Sequence, residues 1–210
     1  MGIAERKERE RQQRREEILR AAETVFFSRG FEKSTMDEIA EAAELSKGTL
    51  YLYFRSKDDL HMAVARNAIS QLSAHTSRAA ESGGTAIEKL RWMGWACIEF
   101  SRTHPDQMKA IITLEELEPG SISWSTSEIR HMIYNESTVG TVIQVVEQGV
   151  AEQLIRSDLP AVQIAHTLWI SVLSVIRFVT MKESLFEMLE LPPERLYESH
   201  FELVINGISL

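Results

Sequence analysis

Seven residues between Ser46 and Lys57 have the types and spacing to grip a polyanion: Ser46, Lys47, Gly48, Thr49, Tyr51, Tyr53 and Lys57. Ser46 suits the cap of a short helix whose Leu50 and Phe54, four apart, face inward. Lys47, Thr49, Tyr51 and Tyr53 are then donors on aliphatic or aromatic bodies, expected to point away from the core. An α-helix fits the major groove of duplex DNA, where its N-terminal side chains meet base edges and flanking donors hold phosphates. Thr49 is the best base-contact candidate, its methyl suited to a thymine methyl and its hydroxyl to a donor or an acceptor. Lys47 reaches a base or a phosphate. The Tyr51 and Tyr53 hydroxyls, the Lys57 ammonium and the Gly48 backbone suit phosphate oxygens. No acidic residue interrupts Leu45 to Lys57, a window of net charge +3. Surface aromatics and solvated charges are the plainer account of the same residues.

A preceding segment must position this helix. Thr35 suits the cap of another short helix, with Asp37 and Glu38 at its positive end, and Ile39, Ala40 and Ala43 form a narrow apolar face ending near Ala43. A tight turn at Glu44 and Leu45 joins the two, giving a helix-turn-helix. The segments TMDEIAEAAELS and SKGTLYLYFRSKDDL resemble the TetR family of bacterial transcriptional regulators, without a gap from about Glu17 to Leu60. That resemblance implies that Thr35 touches a phosphate, that the fold is all-α, and that the chain acts as a dimeric regulator, a repressor ahead of an activator. It also implies a palindromic double-stranded DNA operator and release by a small-molecule effector held in the C-terminal part. Three positions depart from the family pattern. Glu44 stands where glycine is common, and a left-handed backbone there costs about 1 kcal/mol. Asp37 replaces an often basic residue and would repel phosphate, and Leu52 offers only an apolar contact.

The whole chain of 210 residues carries a net charge of −8, which argues against nucleic acid only if charge is uniform. Residues 1–60 hold 12 basic and 13 acidic side chains, so the acid excess lies further on. Cys97 is alone, which excludes an internal disulfide and fits a reducing cytoplasm. The charged residues 5–17 do not resemble a signal peptide, and Arg6 breaks the myristoylation pattern. The apolar run from Leu168 to Val179 contains Arg177 and is short of the about 20 residues of a membrane span, so no membrane partner is expected. Residues 1–15 read as a charged extension, either a solvated helix end or a basic arm with Arg11, Arg14 and Arg15 along DNA.

Ile18, Ala22, Val25 and Phe26 form a core stripe, and Gly30 ends that helix. Ser56 caps the next, whose apolar stripe runs from Leu60 to Leu72 and carries the helix to about Ser77. Further helices are expected over Thr85–Thr103, Pro105–Leu117, Glu128–Ile155, Pro160–Lys182 and Pro193–Ile208, with residues 118–127 a loop. The sum is an all-α chain of about nine helices. Residues 1–60 form a helix-turn-helix DNA-binding domain and residues 61–210 a ligand-binding and dimerisation domain.

In the second part Ile87, Leu90, Gly94, Cys97 and Ser101 share one helix face, while Trp92 and Trp95 project elsewhere. Trp92, Met93, Trp95, Met132, Tyr134 and Trp169 are soft or aromatic candidates for a ligand pocket, or simply core. The acidic excess favours a neutral apolar or a cationic ligand. Ala165, Leu168, Trp169, Val172, Val175, Ile176 and Val179 wrap more of their helix than one core face needs, as do Phe201, Leu203, Val204, Ile205 and Ile208, which points to a homodimer. The rival reading is a helical-bundle ligand- or metal-binding protein or enzyme without DNA binding. It rests on the E-x-x-H spacing from Glu128 to His131, with Asp58 and His61 the nearest second copy. Neither a catalytic constellation, nor a cofactor, nor a metal site is expected.

Overall fold

The computed structural model describes residues 2–116 and 124–210. Its regular elements are α1 (Ile3–Arg29), α2 (Met36–Ala42), α3 (Lys47–Tyr51), α4 (Lys57–Glu81), α5 (Ala86–Thr103), α6 (Pro105–Ile112), α7 (Thr126–His131), α8 (Thr138–Ala151), α9 (Ala161–Met181), α10 (Glu183–Met188) and α11 (Pro193–Ile208). A 3₁₀ turn follows α6 at Thr113–Glu116, and a π turn joins α7 to α8 at Met132–Glu136. The described residues contain no strand, only one antiparallel bridge between Ile155 and Ser209. The fold is all-α.

The chain divides into two compact units, residues 1–68 with 109–126, and residues 69–108 with 127–210. In the first, the stripe Ile18, Ala22, Val25 and Phe26 on α1 meets Met36, Ile39 and Ala40 of α2, Leu50 of α3, Phe54, and Leu60, Ala63 and Val64 of α4. Ala110 of α6 belongs to the same core and Leu114 packs against it. Phe31 seals one end, stacked on His61 at 4.1 Å and edge-on to Phe26 at 5.5 Å. Fixed rings of this kind hold the entry of α4 against the end of α1.

In the second unit α8 is the central element. Its Val142, Val145 and Val146 pack against Ala86, Leu90 and Met93 of α5, Ile164 and Ala165 of α9, and Ile205 of α11. α4 belongs to both units, since residues up to Ala68 lie in the first and those from Ile69 in the second.

Two expected boundaries need correction. The helix expected over Glu128–Ile155 is interrupted: Ser137 is extended (φ −104°, ψ 166°) and caps α8 by accepting from the Val139 N–H at 3.2 Å. Gly140 permits the break, because a Cβ there would stand 2.1 Å from the Tyr134 carbonyl oxygen. The helix expected to reach Leu117 ends at Ile112 and tightens into the 3₁₀ turn; Leu117 and most of the loop expected at 118–127 lie outside the described residues. α10 is a short helix that periodicity does not announce. α9 follows the helix expected over Pro160–Lys182, of which the run from Leu168 to Val179 is only a part. At 21 residues it is long and apolar enough, by length and composition, to cross a membrane, so shortness is no argument against a span. One side of it, with Ile164, Ala165, Val172, Leu173 and Ile176, is buried in the second unit.

Candidate nucleic-acid interface and apolar cavity

α2 begins with a reciprocal cap. The Thr35 hydroxyl accepts the Glu38 N–H at 3.2 Å while the Glu38 carboxylate accepts the Thr35 N–H at 2.9 Å. Those bonds to Thr35, and the Arg29 guanidinium, hold the Glu38 carboxyl below its ordinary range. At the other end Glu44 takes a left-handed backbone with φ 54°. The Leu45 N–H then reaches the Ala40 carbonyl at 2.8 Å and the Glu44 N–H the Glu41 carbonyl at 3.0 Å, a Schellman closure. This closure aims the chain into α3, where the Ser46 hydroxyl accepts the Thr49 N–H at 3.1 Å. Buried Leu50 and Phe54 anchor α3 from behind.

Around α3, Ser46, Lys47, Gly48 and Tyr51 are exposed, and Thr49 is half-buried with its hydroxyl 2.8 Å from that of Ser46. Leu52 is 79% exposed. Two expected placements change. Tyr53 does not point away from the core but packs half-buried against it, leaving its hydroxyl end as the polar tip. Lys57 donates to the carbonyls of Phe31 at 3.0 Å and Glu32 at 3.3 Å, with its ammonium 4.4 Å from the Phe31 ring centroid. It ties α4 to the segment after α1. Asp37 bonds the Lys47 ammonium at 2.7 Å, which holds the Lys47 pKa above its ordinary value. The pairing of Asp37 with Lys47 and the burial of His61 were not read from the sequence; contacts across the turn carry no periodic signal.

The second unit holds a cavity lined by α5, α8, α9 and α11. Of the six ligand candidates, Met93 and Trp169 line it, whereas Trp92, Trp95, Met132 and Tyr134 do not. Trp92 and Tyr134 are exposed, Met132 is buried elsewhere, and Trp95 packs on Tyr197 and Phe201. Sequence reasoning missed Thr138, His200, Phe201 and Val204 on the lining. A signal existed for Leu90, Gly94 and Cys97, which share one face of α5 and do line it. Gly94 is where Phe201 comes close, since a Cβ there would lie 2.3 Å from its ring. Burial pushes the Cys97 thiol up to about 12 and the His200 imidazole below its ordinary value, so both are neutral near pH 7. The cavity measures about 40 Å³, a few waters' worth at about 10–15 Å³ each.

Glu128 and His131 are exposed on α7, and His131 faces Glu136 at 3.4 Å. Among the described residues no three His, Cys, Asp or Glu side chains gather as a metal site requires.

Residues 18–64 match the family model described as bacterial regulatory proteins, tetR family. The transcriptional repressor KstR2 of Mycolicibacterium smegmatis is 26% identical over 170 residues, 76% of this chain and 78% of that protein. A TetR-family transcription regulator from Shewanella sp. PV-4 superposes with a TM-score of 0.71 at 18% identity, over 94% of this chain and 98% of that one. The regulator FadR of Bacillus subtilis, solved in complex with stearoyl-CoA, gives 0.64 at 22% identity, over 91% and 98%. Residues 18–64 thus carry the helix-turn-helix module of the tetR family of bacterial regulatory proteins, and the chain as a whole is similar in sequence to a transcriptional repressor and in fold to regulators of that family.

Proposed function

We propose that the chain is a cytoplasmic, dimeric repressor that reads a palindromic operator through α3 and releases it when a small apolar ligand enters the cavity of the second unit. The observation that carries the DNA reading is the short α3, anchored by Leu50 and aimed by the Glu44 turn, with Lys47, Gly48 and Tyr51 exposed. In this reading Thr49 meets base edges, Lys47 a base or phosphate, and Thr35, Ser46, Gly48, Tyr51 and the tip of Tyr53 hold phosphates. Lys57 acts at one remove, by fastening the segment before α2. Residues 1–60 supply the DNA-binding domain and residues 61–210 the ligand and dimer functions.

The ligand class follows from the lining. Among the described residues around the cavity there is no Asp, Glu, Lys or Arg; the side chains with polar groups are Thr138, Ser171, Cys97, Trp169 and a neutral His200. A neutral, largely apolar body with one hydrogen-bonding group fits, and a cation has no carboxylate to meet. FadR was solved with an acyl-CoA; here the cavity suits an acyl chain or another apolar body but offers no cation for phosphates. Entry of such a body must spread α5, α8, α9 and α11. One polar link leads onward: the Thr138 hydroxyl, on the lining, bonds that of Thr76 on α4 at 3.0 Å, both buried. A ligand favouring the spread state shifts α4 by no more than its differential affinity for the two states.

Selection of the purified protein on a randomised duplex pool at two salt concentrations tests the reading. A recovered palindrome is the expected result, and sequence-blind retention at both salts would overturn it.

A further inference from the structure

Asp37 is an acidic group of the proposed DNA face, and it is not idle. Its Oδ1 lies 2.7 Å from the Lys47 Nζ, with the two side chains 65% and 56% exposed. Lys47 opens α3, so one carboxylate on α2 holds the first cation of the reading helix. The neighbouring cations are similarly committed: Lys57 to the Phe31 and Glu32 carbonyls, and Arg29 to Glu38. Two of the three cations of the +3 window, Lys47 and Lys57, are therefore engaged within the protein before DNA arrives.

Sequence-blind affinity for DNA comes from cations that displace condensed counterions, with a slope in log salt of about 0.9 per phosphate neutralised. A lysine already paired contributes less, because phosphate must take it from the carboxylate and then sit beside that carboxylate. An exposed pair is weak in stability terms. It is enough to bias a contest for one ammonium by a few-fold.

Resting on the DNA reading above, we propose that Asp37 is a specificity-determining residue: through its ion pair with Lys47 it withholds one cation from random DNA and so widens the gap between operator and bulk binding. On an operator the base-edge contacts of α3 stabilise the complex, and the withheld cation matters less. On random sequence no such contacts exist, and the loss is felt in full.

The test uses the full chain and its D37N, K47A and D37N/K47A variants, titrated by fluorescence anisotropy against a labelled random-sequence duplex and against the palindrome from selection, between about 50 and 200 mM salt. D37N should bind random duplex several-fold more tightly, with a salt slope steeper by about 0.9, and bind the palindrome with a smaller gain. In the K47A background the D37N change should have almost no effect. D37S, which also removes the charge, should repeat D37N; a merely structural role would leave the salt slope unmoved. Unchanged random-duplex affinity in D37N overturns the inference while leaving the DNA reading intact. An equal gain with and without Lys47 also overturns it, since Asp37 would then act by plain repulsion. No duplex binding by either the wild type or D37N would defeat the DNA reading and this inference together.

Discussion

His61 is 2% exposed, its Nε2 lies 3.0 Å from the Thr113 hydroxyl, and its Nδ1 finds no partner among the described residues. Burial pushes its pKa from 6.5 down to about 4, with Asp58 and Lys57 acting in opposite directions on the remainder. The folded protein thus holds it neutral, and the unfolded chain takes up the proton first. Its contribution is intact above about pH 6.5, is lost as pH falls towards 4, and is level below that; the loss is ~3 kcal/mol. Urea midpoints across that window should fall with pH for the wild type and stay nearly flat for His61→Phe; a parallel fall in both would assign the dependence to other groups. Lys57 is the second residue whose role geometry revises. Lys57→Ala removes two carbonyl bonds and the contact with the Phe31 ring, so it should cost about 1–2 kcal/mol of stability. Its salt slope for DNA should stay near that of the wild type. A slope reduced by a full counterion with unaltered melting would instead make Lys57 a phosphate contact.

At the level of elements, the turn between α2 and α3 stores a small strain. Glu44 holds φ 54° where a side chain is disfavoured, so Glu44→Gly should stabilise the first unit by about 1 kcal/mol, read as a higher melting temperature. A lower one would mean that the glutamate side chain offsets the strain. Two capped helices so close in sequence announced a tight turn at Glu44 and Leu45, and the left-handed backbone at Glu44 was legible through the family resemblance, which places a glycine there. The same local logic recovered the caps at Thr35, Ser46 and Ser56. It failed between α7 and α8, where the sequence reads as one continuous helix. The break depends on Tyr134 lying over Gly140, a contact six residues apart whose cause is the missing Cβ. Packing of Ala110 and Thr113 against the first unit was illegible for another reason: nothing in a short helix states which core it joins. For the cavity, aromatic bulk misled, since the lining is set by small residues on α5 and by Phe201 filling the space that Gly94 leaves.

For the whole molecule, what remains uncovered argues for a second copy. α9 leaves Val162, Ile170 and Phe178 exposed, and α11 leaves Leu203 74% exposed, although both helices bury other apolar residues in the core of their unit. A single buried stripe accounts for Ile164, Ala165, Val172 and Ile176 but not for these four. Scattered exposed apolar residues are ordinary; several on two neighbouring helices mark an interaction surface. A regulator reading a palindrome needs two α3 helices one or more DNA turns apart, which a two-fold dimer supplies. Ile170→Glu with Leu203→Glu should therefore give a monomer in sedimentation at micromolar concentration, with melting of each chain little changed. Binding to the palindrome should weaken by about 10²-fold or more, because the second α3 is no longer delivered at high effective concentration. Binding to an isolated half-site should be unaffected. Retained dimer mass in the double variant would place the interface elsewhere, and α9 would then need another explanation for an apolar face it shows to solvent.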